Sequence, residues 1–374
     1  MTKRNRRNKR NEPPPGFLAL LESAKRDQAG GSAPRKHHLV PASYLRRWEE
    51  GGKIRVTHVD RKKSHLASAG TAARETDYYR IESPEVDPEV VPPLLFEKML
   101  GEVEGMSVEI IDLLISQGPE ALSPDQRAKF SLFLAFQITR GHSFRVANRL
   151  MVGDFFKLKY ENVTAEGVRR FLIDAGMPSN TADIEAAYAA LKEVSSGDVV
   201  IQPQDASIVA ESGTLALQVG EHLFARNWHK FTTVPILITC DEPVVLLGGP
   251  PRDRRERAGA STAGIVFFPL NPSNLLVMFH PRFHPWGSPE LDRVETAEVN
   301  REVMAATSRW AFEKPSRHVT ERMPLPPAVA PFKREGPYPM AGDSNQQLFR
   351  IFRPTRWASA APPLPPWPVS RWWA

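Results

Sequence analysis

AGIVFFPLNPSNLLVMFHP, residues 263–281, decides how this chain is read. AGIVFFPL (263–270) and NLLVMFHP (274–281) are short, apolar and rich in β-branched residues, and NPSN between them has turn composition, so the stretch predicts a β-hairpin. FTTVPILITC (231–240) has the same character and predicts a strand just upstream. Far earlier, KIRVTHV (53–59) alternates Ile54, Val56 and His58 against Arg55, Thr57 and Val59, the period of a half-buried strand entered through Gly51-Gly52. Everything between these strands reads as helix. Strands on both sides of a helical block predict an α+β fold: a largely helical body with a small, mostly antiparallel sheet that the early strand joins.

The helical block opens with LLFEKMLGEVEGMSVEIIDLLIS (94–116), which stops at Gly118-Pro119. The next helix has a clear start, with Ser123 as N-cap, Pro124 at the first position and Asp125 in the first turn. It is expected to run on through FSLFLAFQITRGHSFRVANRLM without a break. TAEGVRRFLIDAG (164–176) has Thr164 as cap and Gly176 as stop. Two more helices follow in IEAAYAALKEV and DASIVAESGTLALQVGEHLFARNW, and a last one spans about 295–312.

Six of the 49 basic residues lie in MTKRNRRNKR (1–10) with none of the 43 acidic ones, so the net charge of +6 belongs to a tail and the rest is balanced. Residues 1–34 read as a disordered basic arm, residues 35–320 as one globular domain, and 321–374 as a Pro/Trp-rich extension. GFLALL after the basic segment is too short for a signal peptide and runs straight into Glu22, Lys25 and Arg26. No apolar run approaches the roughly 20 residues of a membrane span, so a cytoplasmic protein without membrane partners is expected. Cys240 is the only cysteine, which excludes an internal disulfide and cysteine-based zinc sites.

Several polar residues fall where apolar ones are expected. At 100° per residue, Glu97 and Glu104 share one column at the margin of the apolar face of helix 94–116. On a continuous second helix, Gln137 aligns with Phe130 and Phe144, and Arg140 with Phe133 and Ala147, so both project from the apolar side. A buried guanidinium needs a carboxylate or an anion, and Glu97 or Glu104 is the expected partner. The bland version is a Glu–Arg bridge pinning two helices, with Gln137 completing its hydrogen bonds. Asp241 follows an apolar strand directly, either as a turn residue before Pro243 or pointing into a cleft. Cys240 beside it reads as a core residue. In RKHHLVPASYLRRW (35–48), extended chain sends His37 and His38 to opposite faces, so the two cannot share one task.

HHLVPASYLRRW, the Glu97–Glu104 helix, Gln137-x-x-Arg140, ITCDEPV, FFPLNPSNLL and Asn300 occur in that order over residues 36–312. The set resembles a bacterial family of domains of unknown function, number 4238. That resemblance implies a shared fold and a shared site but names no reaction. His37, His38, Pro41, Glu104, Gln137, Arg140 and Asp241 match the family's motif positions, which implies that the histidines form one wall of a site completed by two helices and a strand end.

Two functions are expected from these residues. The first is a metal-dependent hydrolase of nuclease or nucleotide-hydrolase type, with His37, His38, Glu104, Gln137, Arg140 and Asp241 as its site. His38, Glu104 and Asp241 would hold a divalent ion (Mg, Mn or Zn), His38 could instead be the general base, and Arg140 would stabilise a phosphate oxygen. Nucleic acid or nucleotide would be drawn in by the basic tail and Arg140. The second is a non-catalytic nucleotide- or anion-binding module, or a protein-interaction module, in which Glu104 merely balances charge. An HNH nuclease is disfavoured because no asparagine occurs between Asn11 and Asn148, and no G-x-x-x-x-G-K-[ST] loop is present. GGPPRDRRERAG (248–259) carries four arginines and reads as an exposed linker or a phosphate-contacting loop.

Overall fold

The protein is described by a computed structural model covering residues 15–29, 35–60, 63–330, 332–340 and 343–374. Its helices are α1 (Pro15–Ala29), α2 (Ala42–Leu45), α3 (Leu95–Ser116), α4 (Pro124–Thr139), α5 (His142–Tyr160), α6 (Ala165–Asp174), α7 (Thr181–Ser196), α8 (Asp205–Phe224), α9 (Arg293–Ala306) and α10 (Val319–Arg322). Strands β5 (Asn227–Thr232), β7 (Val245–Leu247), β8 (Ile265–Asn271) and β9 (Asn274–Phe279) form an antiparallel sheet in the order β5-β9-β8-β7. A second antiparallel sheet has the order β3-β2-β10-β6, from β3 (Lys63–Ala67), β2 (Ile54–His58), β10 (Trp310–Glu313) and β6 (Thr239–Cys240). Two-stranded ladders join β1 (Lys36–His38) to β4 (Arg74–Thr76) and β11 (Lys333–Met340) to β12 (Asp343–Phe352). The fold is α+β, and the early strand β2 does pair with a late one, β10.

The β8–β9 hairpin is buried on both faces, which is why its strands read as continuous apolar runs rather than alternations. Val266, Phe268, Leu276 and Met278 face the core shared with α3, α4 and α8. Ile265, Phe267, Val277 and Phe279 face a second core built with Val299 and Val303 of α9. Part of the extension after residue 320 belongs to this second core, through Val369 and Trp372. Trp372 is fully buried, with its ring 5.3 Å from that of Phe231 and 6.1 Å from that of Phe279. Trp373 lies so close to Gly264 that an added Cβ there would meet Phe283, the Gly248 carbonyl and Trp373 at once.

Four segments depart from the sequence reading, each for a tertiary reason. Residues 15–29, expected to be disordered, form α1; its helix-forming composition is stabilised by the burial of Ala24 and by a 2.6 Å ion pair from Asp27 to Lys98 of α3. Residues 1–14 and 30–34 of the expected tail lie outside the described residues. The helix expected to continue past Arg140 breaks there, because Gly141 becomes the N-cap of α5 and Glu242 accepts the Ser143 N–H at 2.7 Å. A Cβ on Gly141 would come 3.0 Å from that carboxylate, so glycine permits the approach. The expected columns joining Gln137 to Phe144 and Arg140 to Ala147 therefore do not exist.

Stretch 231–240 is likewise not one strand, since residues 233–238 leave the ladder between β5 and β6. Their backbone is satisfied by side chains: Asn300 accepts from Ile238 N–H at 3.1 Å and donates to the Ile236 carbonyl at 2.9 Å, while Trp48 donates to the Leu237 carbonyl at 2.8 Å. Finally, α9 stops at Ala306 and the chain returns as β10, for a reason that lies in Asp241.

Candidate functional site

Asp241 is buried, and its carboxylate accepts three backbone N–H groups, from Ser308 at 2.9 Å, Arg309 at 2.7 Å and Trp310 at 3.2 Å. Both oxygens are thus engaged by the turn that ends α9 and starts β10. Burial and neighbouring Glu242 push this carboxyl up to about 7, while the three N–H groups oppose that shift. The side chain anchors a turn rather than pointing into a cleft.

The other sequence-predicted residues gather where β1, α3 and the end of α4 meet. The antiparallel β1–β4 ladder turns His37 fully inward and leaves His38 half-buried on the opposite face, as the alternation of extended chain requires. His37 Nδ1 accepts the Tyr79 N–H at 3.0 Å, and its ring lies 5.7 Å from that of Tyr79. The single Nδ1 lone pair is thus taken by the Tyr79 N–H, and Glu97 Oε2 stands 3.5 Å from the same nitrogen. Burial, and then the charge of Glu104, push Glu97 up to about 7, against the pull of Arg140.

His38 Nε2 lies 2.9 Å from Arg74 Nε and 3.2 Å from the Gly70 carbonyl. A guanidinium can only donate, so Nε2 accepts from Arg74 and the carbonyl contact is not a hydrogen bond in that tautomer. Burial, with Arg74 second, holds His38 below its ordinary value. A neutral imidazole is a fitting base or metal ligand, but here its lone pair already faces a cation.

Arg140, the C-cap of α4, is 2% exposed and donates from Nη1 to Glu104 Oε1 at 2.6 Å. Its Nε and Nη2 are buried with no hydrogen-bond partner, as are both amide atoms of Gln137 and the Tyr79 hydroxyl. Gln137 therefore does not complete the Glu104–Arg140 bridge. Unsatisfied buried donors and acceptors each cost about 1–3 kcal/mol, and native proteins keep few of them unless water, an ion or a ligand completes the bonding. The five atoms belong to Arg140, to Gln137 three residues before it on α4, and to Tyr79, whose ring lies near the guanidinium. The carboxylates of Glu97 and Glu104 remain 30% and 23% exposed, so the cluster opens towards solvent past them.

Glu104 and Arg140 are thus paired, Gln137 precedes Arg140 by three residues on α4 and His37 lies against Glu97, whereas His38 and Asp241 are engaged with other partners. Among the described residues no group of three or more His, Cys, Asp or Glu side chains is arranged to hold a metal ion. Sequence reasoning passed over Tyr79, whose ring contacts His37 and Phe96 and lies under the Arg140 guanidinium at 5.8 Å. The adjacent Tyr78 stacks under Arg145 at 3.8 Å and donates to the Arg140 carbonyl at 3.3 Å. A paired tyrosine in the charged stretch RETDYYR was the available signal.

No helix of the described residues is long and apolar enough to cross a membrane. Neither the curated proteins nor the solved structures contain a significant match. The family whose model covers residues 36–317 is described as "Protein of unknown function (DUF4238)", and with three quarters of its length matched, the chain belongs to that family.

Proposed function

We propose that this protein binds a small anionic ligand that also presents a hydrogen-bonding edge, as a nucleotide does, at the Glu97–Glu104–Gln137–Arg140 cluster. The observation that carries this reading is the buried Arg140 guanidinium with two unpartnered nitrogens beside the unpartnered Gln137 amide. Arg140 supplies a fixed cation for the anionic part of the ligand, and Gln137 supplies one donor face and one acceptor for its polar edge. Glu104 holds the guanidinium in place. The balanced charge of the chain beyond its first ten residues fits a small ligand better than a long polyanion.

A second reading, hydrolysis of such a ligand, is favoured by Glu97. A carboxyl poised near neutrality beside Glu104 can exchange a proton at physiological pH. A divalent metal at Glu97 and Glu104 would serve this second reading, with His38 and Asp241 outside its coordination. Thermal shift and calorimetry with nucleoside mono- and triphosphates, with and without Mg²⁺, Mn²⁺ or Zn²⁺, separate the two. Metal-independent binding that is lost in Gln137→Leu supports the binding module. Metal-dependent phosphate release that is lost in Glu97→Gln supports the hydrolase. The absence of both removes the cluster as a ligand site.

A further inference from the structure

The four-arginine loop at 248–259 is not a solvated linker. Arg254 is buried, paired with Glu302 and stacked on Trp357 at 4.5 Å. Residues 255–257 run antiparallel to 353–355: the Arg257 N–H donates to the Arg353 carbonyl at 2.8 Å, and the Thr355 N–H donates to the Arg255 carbonyl at 2.8 Å. This short ribbon brings Arg257 and Arg353 side by side at the wall of a cavity of about 190 Å³. Arg356 also lines it, as do His142 and Ser143 from the first turn of α5 and Ser308 from the turn held by Asp241.

The charges around this cavity do not balance. Arg257 has Glu242 at 3.4 Å, and Arg356 has Asp60 at 3.0 Å. Arg353 has neither a hydrogen bond nor an ion pair from its guanidinium among the described residues. Arg353 is half-buried; burial, and then Arg257, push its pKa down to about 10 against the pull of Glu242, so it remains charged at neutral pH. Such a cation is unfavourable unless an anion joins it. Three guanidinium groups stand against two carboxylates, Asp60 on the wall and Glu242 behind Arg257, an excess of one positive charge that falls on Arg353. The α5 N-terminus is already capped by Glu242, so the attraction for an anion comes from the arginines.

We propose that this cavity is a binding site for a phosphate dianion, held by Arg353 and Arg257 with Arg356 and flanked by the Ser143 and Ser308 hydroxyls. Arg353 supplies the unpaired cation, and guanidinium forks match the tetrahedral oxygens of a phosphate group. The volume lies below the roughly 300 Å³ at which pockets for drug-sized ligands begin, so it suits a phosphate group with little attached. Arg353 and Arg356 lie beyond the family match, which ends at residue 317, so the C-terminal extension completes the site. This cavity shares no lining residue with the Arg140 cluster.

The test is titration calorimetry of the full chain with inorganic phosphate, phenyl phosphate and a 5′-phosphorylated dinucleotide, in wild type, Arg353→Gln and Gln137→Leu. Saturable binding of inorganic phosphate is expected, weakened at least tenfold in Arg353→Gln and unchanged in Gln137→Leu. In phosphate-free buffer Arg353→Gln should melt no lower than wild type, because it removes an uncompensated charge. Tighter binding of the dinucleotide than of phosphate would assign the dianion to a nucleic-acid end, and the reverse order to a free anion or small ester. Undiminished affinity in Arg353→Gln, loss in Gln137→Leu instead, or no saturable binding by wild type overturns the proposal.

Discussion

Glu97→Gln is the most informative single substitution in this protein. In the folded chain Glu97 is held near pH 7 against an ordinary value of 4.5, chiefly by burial and then by Glu104. Between those two values the folded chain keeps a proton that the unfolded chain has released, so stability falls as pH rises from about 4.5 to 7. A shift of about 2.5 units at about 1.4 kcal/mol per unit sets a ceiling near 3 kcal/mol. With the side chain 30% exposed, solvent screening reduces this to about 1–2 kcal/mol. Glutamine reproduces the protonated carboxyl without its titration. The variant should therefore match wild type at pH 5 and exceed it at pH 8, by roughly 1–3 °C in melting temperature. Melting both proteins across pH 5–8 isolates Glu97, because the titration of Asp241, also near 7, is common to both. A difference that stays flat with pH, or a variant less stable than wild type at pH 8, would show that Glu97 is an ionised partner of Arg140 and refute the argument.

Two further substitutions probe the frame around the sites. Asp241→Asn replaces an acceptor of three N–H groups by a side chain that must turn an N–H₂ towards some of them, and should cost about 2–4 kcal/mol in urea unfolding. That loss should be the same in EDTA; a loss that vanished on chelation would make Asp241 a metal ligand instead of a turn anchor. Trp372→Ala should cost about 3–5 kcal/mol, because the ring is fully buried against Phe231 and Phe279. A near-neutral result would detach the C-terminal extension from the second core.

Local signals were legible wherever the chain itself supplies both partners. The Ser123 cap, the Thr164 cap and the positive-φ Gly176 beyond α6 are contacts within three or four residues or single backbone preferences, and they mark element ends in any context. The hairpin around NPSN is of the same kind, as is the split of His37 and His38 to opposite faces. The meeting of Glu104 with Arg140 was also within reach, since helical periodicity places both at the apolar margins of neighbouring helices.

What tertiary structure alone decided involves partners roughly 60 to 100 residues apart. Glu242 caps α5 and breaks the helix at Gly141; Asp241 ends α9 and turns residues 308–310 into the approach to β10; Asn300 holds residues 236–238 out of the ladder. The candidate site shows the same division. The sequence by itself determined which polar residues had to be buried, because periodicity and the cost of desolvation are local facts. Which of them would be satisfied was decided by the fold. It spends Asp241 on backbone and turns His38 towards Arg74, yet leaves Arg140 and Gln137 incompletely bonded. Arg353 is the clearest case: in the sequence it is one of many arginines in an extension, and only its pairing alongside Arg257 makes it a charge in need of an anion.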